Sequence, residues 1–247
     1  MSKENEEIIC GRNAVSEALR SGRAINTLFV RKGERNGTIG RITAEARDKG
    51  IVIKEVDVRK LDLMCASANH QGVAAFAAAA EYSSVEDILD EAAQRGEEPF
   101  VVICDGIEDP HNLGAIIRSA EAAGAHGVII PKRHGVSLTW AVGKASAGAV
   151  EHLKVARVTN LASTLDGLKE KGLWIFAADM GGSSWCETDF SGAVALVIGS
   201  EGRGVSRLIR EKSDFIVSLP MKGKVNSLNA SVAAGILMYE VVRSRSK

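Results

Sequence analysis

AVALVIGSEGRGVS, residues 193–206, decides the fold class. An apolar run, 193–198, opens without a break into a loop carrying Gly199, Gly202, Gly204, Ser200, Ser206 and one acid, Glu201. A short apolar run that ends in a glycine turn reads as a strand covered on both faces, which is how strands of a parallel sheet read. The same pattern recurs to either side, at FVVIC (100–104), GVII (127–130), LKVARV (153–158), LWIFAA (173–178) and FIVSL (215–219), with helices fitting between most of them. This predicts an α/β domain built on a parallel sheet. Ligands of such sheets sit beyond the carboxyl ends of the strands, so the loops directly after strands are the informative ones.

The chain has 247 residues, between one and two domains at ~150 residues each. It is long enough to bury a core without disulfide or metal staples. Lys plus Arg equals Asp plus Glu at 31 each, which excludes a globally basic nucleic-acid coat but leaves room for a local basic patch. Cys10, Cys65, Cys104 and Cys186 form no C-x-x-C pair and no close spacing with histidine, so neither a zinc cluster nor a disulfide framework is expected. The charged start, MSKENEEIICGR, lacks the apolar core of a signal peptide, and no apolar run reaches ~18 residues. Dispersed cysteines without a secretion signal point to the cytoplasm.

The first stretch alternates on a smaller scale. GRNAVSEALRSG reads as a helix closed by Gly22, INTLFV as a strand, and TIGRITAEARDKG as a helix with Ile39, Ile42 and Ala46 on one face. IVIKEV and GVAAFAA are two more strands, making a small α/β layer. Seven acids and one base fall between 81 and 98, just before FVVIC. The expected division is therefore 1–80 as a first domain, 81–98 as a linker that can contain a helix, and 99–247 as the second domain.

Three post-strand loops stand out. In DGIEDPHNLGAIIRSAEAAG (105–124) a turn leads to a helix that Asn112 is placed to cap, with Leu113, Ile116, Ile117 and Ala120 as its buried stripe. Arg118 lies off that stripe with Gly114 and Glu121, where the missing side chain of Gly114 would let a ligand approach; a solvated arginine on a surface helix fits equally well. In IGSEGRGVS (198–206) exposed backbone N–H groups suit carboxylate, phosphate or adenine edges. The spacing G-x-x-G-x-G is neither a dinucleotide fingerprint nor a P-loop, which argues against a nucleotide-dependent oxidoreductase. LPMKGKVNSLNASVAAGILMYEVVR (219–243) opens as an irregular loop, and a helix is expected from near Ser227 with Leu228, Val232, Gly235, Ile236 and Tyr239 as its core stripe. Ser227 and Asn229 would stand at its start, where ordinary capping also accounts for them.

Together, NLGAIIR (112–118), GSEGRG (199–204) and LPMKGKVNSLNASVA (219–233) resemble the three motifs of the SpoU/TrmH branch of the SPOUT methyltransferases. CGRNAVSEAL (10–19) and NHQGVAA (69–75) are similar to the substrate-binding domain of the ribosomal-RNA members, so the resemblance spans nearly the whole chain. Leu219 and Ala230 depart from a frequent isoleucine and valine, and neither carries a polar role. The resemblance implies a C-terminal domain with a parallel sheet and a deep trefoil knot, plus a small N-terminal domain of the L30e/L7Ae type. It implies S-adenosylmethionine as methyl donor, a homodimer whose site is completed across the interface, and methylation of a ribose 2′-hydroxyl in RNA, closest to members acting on guanosine in 23S rRNA.

By the same resemblance Arg118 activates the hydroxyl, with Asn112, Glu201, Ser227 and Asn229 orienting arginine, ribose and cofactor. Ile198, Gly199, Ser200, Gly202, Leu219, Met221 and Leu228 would hold the cofactor. A guanidinium is a poor base, its pKa lying above ~12, so stabilising the developing alkoxide is the better role for Arg118. Arg12, Arg20, Arg23, Arg31, Lys32 and Arg35 early in the chain, and Arg203, Arg207, Lys222 and Lys224 near the presumed pocket, are candidates for RNA phosphates. Aromatic residues are only 4% of the chain, so recognition by shape is favoured over base stacking. The five histidines show no ligand spacing, and no metal is expected, His111 being a turn residue. The rival readings are the same chemistry on tRNA or another rRNA nucleotide, and a non-catalytic RNA-binding or assembly protein.

Overall fold

The structure is a computed structural model that describes residues 6–246 except 22, 24, 35–36, 67–68 and 79–81. The chain divides into two compact units, Met1–Glu81 with Leu138–His152, and Tyr82–Ser137 with Leu153–Lys247. The segment 81–98, expected as a linker, carries a helix of the second unit. Conversely, 138–152 leaves the middle of the second domain's sequence to join the first unit. Gly22 and Arg35 lie outside the described residues.

In the first unit, β1 (Glu6–Cys10), α1 (Arg12–Arg20), β2 (Ile25–Arg31), α2 (Gly37–Asp48), β3 (Val52–Val56), α3 (Val58–Met64) and β4 (Val73–Ala78) follow in order. The sheet runs β1-β4-β2-β3, with β2 and β3 parallel and β4 antiparallel to both its neighbours. The helices α1 and α2 bury Val15, Ala18, Leu19, Ile39, Ile42 and Ala46 against one face. On the other face Leu61 of α3 packs with Phe29, Val56 and Ala74. The alanines of β4 suit a central strand with a layer on each side, because small side chains let both layers come close.

One expectation fails here. Cys10, at the end of β1, and Cys65, capping α3, are disulfide-bonded across 55 residues of sequence, while Cys104 and Cys186 are free. Pairing needs proximity of two Cβ atoms, which spacing along the chain does not report. The cysteine pattern therefore loses its force as an argument about compartment.

The second unit contains α4 (Val85–Arg95), β5 (Phe100–Asp105), α5 (Pro110–Ala122), β6 (Gly127–Pro131), β7 (Lys154–Val158), α7 (Leu161–Glu170), β8 (Trp174–Ser184), β9 (Val194–Gly199), α8 (Arg207–Lys212), β10 (Phe215–Ser218) and α9 (Ala230–Arg245). A further short helix, α6 (Trp140–Ala145), lies in the segment that belongs to the first unit. The six strands form one sheet, β10-β8-β9-β5-β6-β7, and every neighbouring pair is parallel. Ile88 of α4, Leu161, Leu165 and Leu168 of α7, and Ile209 of α8 pack over one face on Val101, Ile103, Ile175 and Val197. The order reverses between β5 and β9, and that is the point where an open parallel sheet offers a crevice at its carboxyl edge.

Two helix readings need correction. Asp109, not Asn112, caps α5: its Oδ1 accepts the His111 N–H at 2.9 Å, and Pro110 supplies the first helical residue. Helix α9 starts at Ala230 rather than near Ser227, capped by Asn229, whose Oδ1 accepts from the N–H groups of Ser231 at 3.0 Å and Val232 at 3.2 Å. Its buried face is Ala230, Ala234, Leu237, Met238 and Val241, whereas Val232 and Tyr239 are about half exposed. The helix is apolar nearly all round, so periodicity did not single out the stripe that meets the sheet.

Candidate active site

A cleft of about 240 Å³ opens at the carboxyl ends of β9 and β10 and beside the middle of β8. Its lining includes all seven residues expected to hold a cofactor: Ile198, Gly199, Ser200, Gly202, Leu219, Met221 and Leu228. Glycine at 199 is a geometric requirement. A Cβ there would stand 2.2 Å from the Gly204 carbonyl carbon and 2.3 Å from the Val205 nitrogen. The loop doubles back on itself, the Ser200 N–H donating to Gly204 O at 3.1 Å and the Gly204 N–H to Ser200 O at 2.9 Å. Gly202 and Gly204 take the positive φ values, 81° and 67°, that this turn demands. Asp105, ending β5, holds the loop's far end by accepting the Ser206 N–H at 2.7 Å.

Leu219, Leu228, Ala230, Ala233 and Leu237 supply an apolar side, while the loop 199–204 supplies backbone polar groups. That combination suits a ligand with a flat apolar ring and a polar periphery, a nucleoside above all.

Three segments distant in sequence meet beside the cleft. Asn112 Nδ2 donates to Glu201 Oε1 at 3.1 Å, and Asn229 Nδ2 donates to Asn112 Oδ1 at 2.9 Å and also to Glu201 Oε1. The Ala230 N–H adds a fourth bond, to the same Glu201 oxygen at 3.3 Å. Glu201 thus ties the third residue of α5 to the first turn of α9, and the second carboxylate oxygen stays available. Asn112 is buried although Glu201 and Asn229 are exposed. Ser227 lines the cleft in the loop before α9.

Arg118 is exposed on α5, outside the residues lining the cleft, and its guanidinium has no hydrogen-bond or ion-pair partner among the described residues. His111 is exposed in the first turn of α5.

The basic candidates divide. Arg23 is largely buried in an ion pair with Glu151, 2.7 Å apart, with both side chains 13% exposed or less. It is not available to a phosphate, since a buried guanidinium is retained only where its charge is matched. Arg12 is half tied, donating to Gln71 O at 2.9 Å and to Glu34 at 2.8 Å. Arg31, Lys32, Arg203 and Lys222 are exposed, and Arg203 lines the cleft. Arg207 is paired with Glu211 at 2.7 Å.

Sequence reasoning missed Ala178, Asp179 and Met180, the cleft residues that β8 contributes, and Asn226. LWIFAA reads as a strand ending at 178, which makes the residues just after it informative ones, although β8 itself continues to Ser184. Among the described residues no cluster of three or more potential metal ligands occurs, and no helix is long and apolar enough to cross a membrane.

Comparison with known proteins gives a consistent picture. Residues 99–239 match the SpoU rRNA Methylase family, and residues 8–83 match the RNA 2′-O ribose methyltransferase substrate-binding domain. The chain is 49% identical, over its full length and 98% of the other protein, to YacO of Bacillus subtilis (strain 168), which is assigned to the TrmH family of tRNA/rRNA methyltransferases. A protein of the same description from Staphylococcus haemolyticus is 47% identical over 96% of each chain. Among solved structures, the SpoU methyltransferase AviRb of Streptomyces viridochromogenes in complex with AdoMet superposes with a TM-score of 0.82 at 26% identity, covering 99% of this chain and 92% of that one. An AdoMet-bound rRNA methyltransferase of Sinorhizobium meliloti gives 0.80 at 25% identity, covering 97% and 87%.

Proposed function

The chain belongs to the SpoU/TrmH family of RNA methyltransferases, and from that premise we propose that it methylates the ribose 2′-oxygen of a guanosine in 23S rRNA, in the cytoplasm and as a homodimer. Transfer of a methyl group from S-adenosylmethionine to an RNA ribose is the activity of the family. The observation that carries the reading is the junction of Asn112, Glu201 and Asn229 at the rim of a nucleoside-shaped cleft.

The cleft fits the cofactor on its own terms. The loop 199–204 closes on itself only because Gly199 has no Cβ to push the Gly204–Val205 backbone away, and Leu219, Leu228 and Leu237 present the apolar wall an adenine needs. S-adenosylmethionine supplies a methyl group already activated by its positive sulfur, so the chain's task is the nucleophile, a neutral hydroxyl of high pKa. Ile198, Gly199, Ser200, Gly202, Leu219, Met221 and Leu228 hold the cofactor, while Asn112, Glu201, Ser227 and Asn229 fix the ribose. Arg118 stabilises the alkoxide as its charge develops and binds an adjacent phosphate, and the proton leaves by another route.

Arg118 does not line the cleft of its own chain, and in this reading it serves the cleft of a second copy. The half-exposed Val232 and Tyr239 on α9, next to α5 in the fold, give such a copy an apolar surface to meet. The deep trefoil knot belongs with the reading, 198–206 and 219–230 being its loops. Arg31, Lys32, Arg203 and Lys222 neutralise RNA phosphates, with Arg12 partly available.

The match of residues 99–239 to the SpoU rRNA Methylase family supports rRNA, whereas the name of the Bacillus relative leaves tRNA open. Mapping 2′-O-methyl marks across rRNA and tRNA in a strain lacking the gene separates the two. Loss of one guanosine mark in 23S rRNA is expected; loss of a tRNA mark, or of none, overturns the assignment.

A further inference from the structure

Two carboxylates line the cleft, and only one has been given a task. Glu201 has its Oε1 engaged by two amides and a backbone N–H. Asp179 lies within β8, one residue past Ala178, which is the last position of that strand paired with β9 and lies against Ile198. It is therefore next to Gly199, at the level where β9 ends and β8 continues beside β10. Its Oδ1 accepts the Met180 N–H at 2.7 Å and its Oδ2 accepts from Arg210 Nε at 3.1 Å. Arg210, on α8, also reaches Met180 O at 3.4 Å, so the turn and the carboxylate are held by one guanidinium.

The loop leaves room for this carboxylate: a Cβ on Gly204 would lie 3.1 Å from Asp179 Oδ1, and Gly204 has a positive φ besides. The Asp179 side chain retains 21% of its exposure, and the residue lines the cleft. Each carboxylate oxygen can accept about two hydrogen bonds. One is used on each, so each oxygen keeps a site for a donor from the cleft.

The donor groups of a nucleoside-based sulfonium cofactor are the adenine amine, the ribose 2′,3′-diol and the ammonium of its amino-acid part. The apolar wall formed by Leu219, Leu228 and Leu237 takes the flat ring. Arg210 already balances the charge of Asp179, which weakens its hold on a second cation but leaves its acceptor capacity for neutral hydroxyls intact. A vicinal diol offers two donors spaced to match the two oxygens of one carboxylate. We propose that Asp179, held by Arg210, accepts hydrogen bonds from the ribose diol of the cofactor and selects ribonucleosides over deoxynucleosides at this cleft.

This inference rests on the assignment of the cleft to S-adenosylmethionine, and calorimetry with S-adenosylhomocysteine as the probe separates the two claims. The whole protein and its Asp179→Asn variant are titrated with S-adenosylhomocysteine, its 2′,3′-dideoxy analogue and its deaminated analogue. The substitution is expected to weaken S-adenosylhomocysteine and the deaminated analogue roughly tenfold or more. The dideoxy analogue is expected to bind the unmodified protein that much more weakly and to lose less than about threefold on substitution. Equal losses for the dideoxy compound and the parent overturn the role, and so does insensitivity of the deaminated compound, which would assign Asp179 to the ammonium. If the variant does not fold, the unmodified protein alone decides, since equal affinity for the dideoxy and parent compounds is incompatible with the proposal. Failure of S-adenosylhomocysteine to bind the unmodified protein would overturn the functional reading itself, and this inference with it.

Discussion

Replacing Gly199 by alanine puts the cleft's geometry under direct test. The added Cβ would stand 2.2, 2.3 and 2.4 Å from three atoms of the Gly204–Val205 backbone, where ordinary contact begins near 3.4 Å. Main-chain atoms have no rotamer to escape into, so the loop must retreat by about an ångström. The pair of bonds between Ser200 and Gly204, at 3.1 and 2.9 Å, would weaken as it does. Overpacking of this kind costs ~1–3 kcal/mol, and each weakened bond adds up to about 1 kcal/mol. If ~2–3 kcal/mol of that falls on the conformation that holds the ligand, affinity drops roughly 30–150-fold. Residues 194–198 of β9 are buried and untouched, so the variant should still unfold cooperatively, with a melting temperature lower by several degrees. Calorimetric titration with S-adenosylhomocysteine, beside a thermal melt, reads both numbers. Unchanged affinity in the folded variant would show that the loop 199–204 does not form the binding surface.

Three further outcomes are expected. Arg118→Lys should bind S-adenosylhomocysteine normally yet lose most methyl transfer, because the planar fork of donors is gone; near-normal turnover would remove Arg118 from the chemistry. Asn112→Ala and Glu201→Ala each cut the link between α5 and α9, and should leave a folded protein, by circular dichroism, whose kcat falls at least tenfold; a change confined to KM would contradict the orienting role. The ring of His126 is fully buried, with Nδ1 accepting the Phe100 N–H at 2.9 Å and Nε2 lying 3.0 Å from Glu97. Burial, outweighing the nearby Glu97, lowers its pKa below the ordinary 6.5. Between 6.5 and the lowered value the unfolded chain binds more protons, so the stabilising term present above 6.5 is lost as pH falls through that window. Melting temperature should decline as pH falls below about 6.5 and decline less in His126→Gln; an identical slope would exclude the histidine.

Much of the fold was legible because strands buried on both faces cannot tolerate polar residues. The six apolar runs from 100 onward became the six strands of one sheet, in the regions expected. What escaped reading escaped for physical reasons. Strand β1 begins with two glutamates, an unpromising start for a sheet member. Strand β8 runs on through MGGSS, a stretch with no strand signal. It can do so because a Cβ at Gly182 would meet Ile216 O at 2.1 Å, so glycine lets β10 approach. The face of α9 was misjudged because a helix that is apolar all round offers periodicity no preferred side. The disulfide and the burial of Arg23 depend on proximity alone, which local pattern does not encode.

The candidate site was legible in a different way. Capping chemistry marked Asn112 and Asn229, but only Asn229 caps; Asp109 takes the other post and frees Asn112 to face Glu201. Post-strand glycines mark the loop 199–204, whereas Asp179 lies inside β8, where no loop signal singles it out.

Where the methyl group goes decides whether this protein is a ribose methyltransferase. Purified protein incubated with 23S rRNA and methyl-labelled S-adenosylmethionine, followed by alkaline hydrolysis and mass spectrometry, should yield one labelled, alkali-resistant dinucleotide beginning with 2′-O-methylguanosine. Label on a nucleobase, or no transfer by a protein that binds S-adenosylhomocysteine, would contradict it.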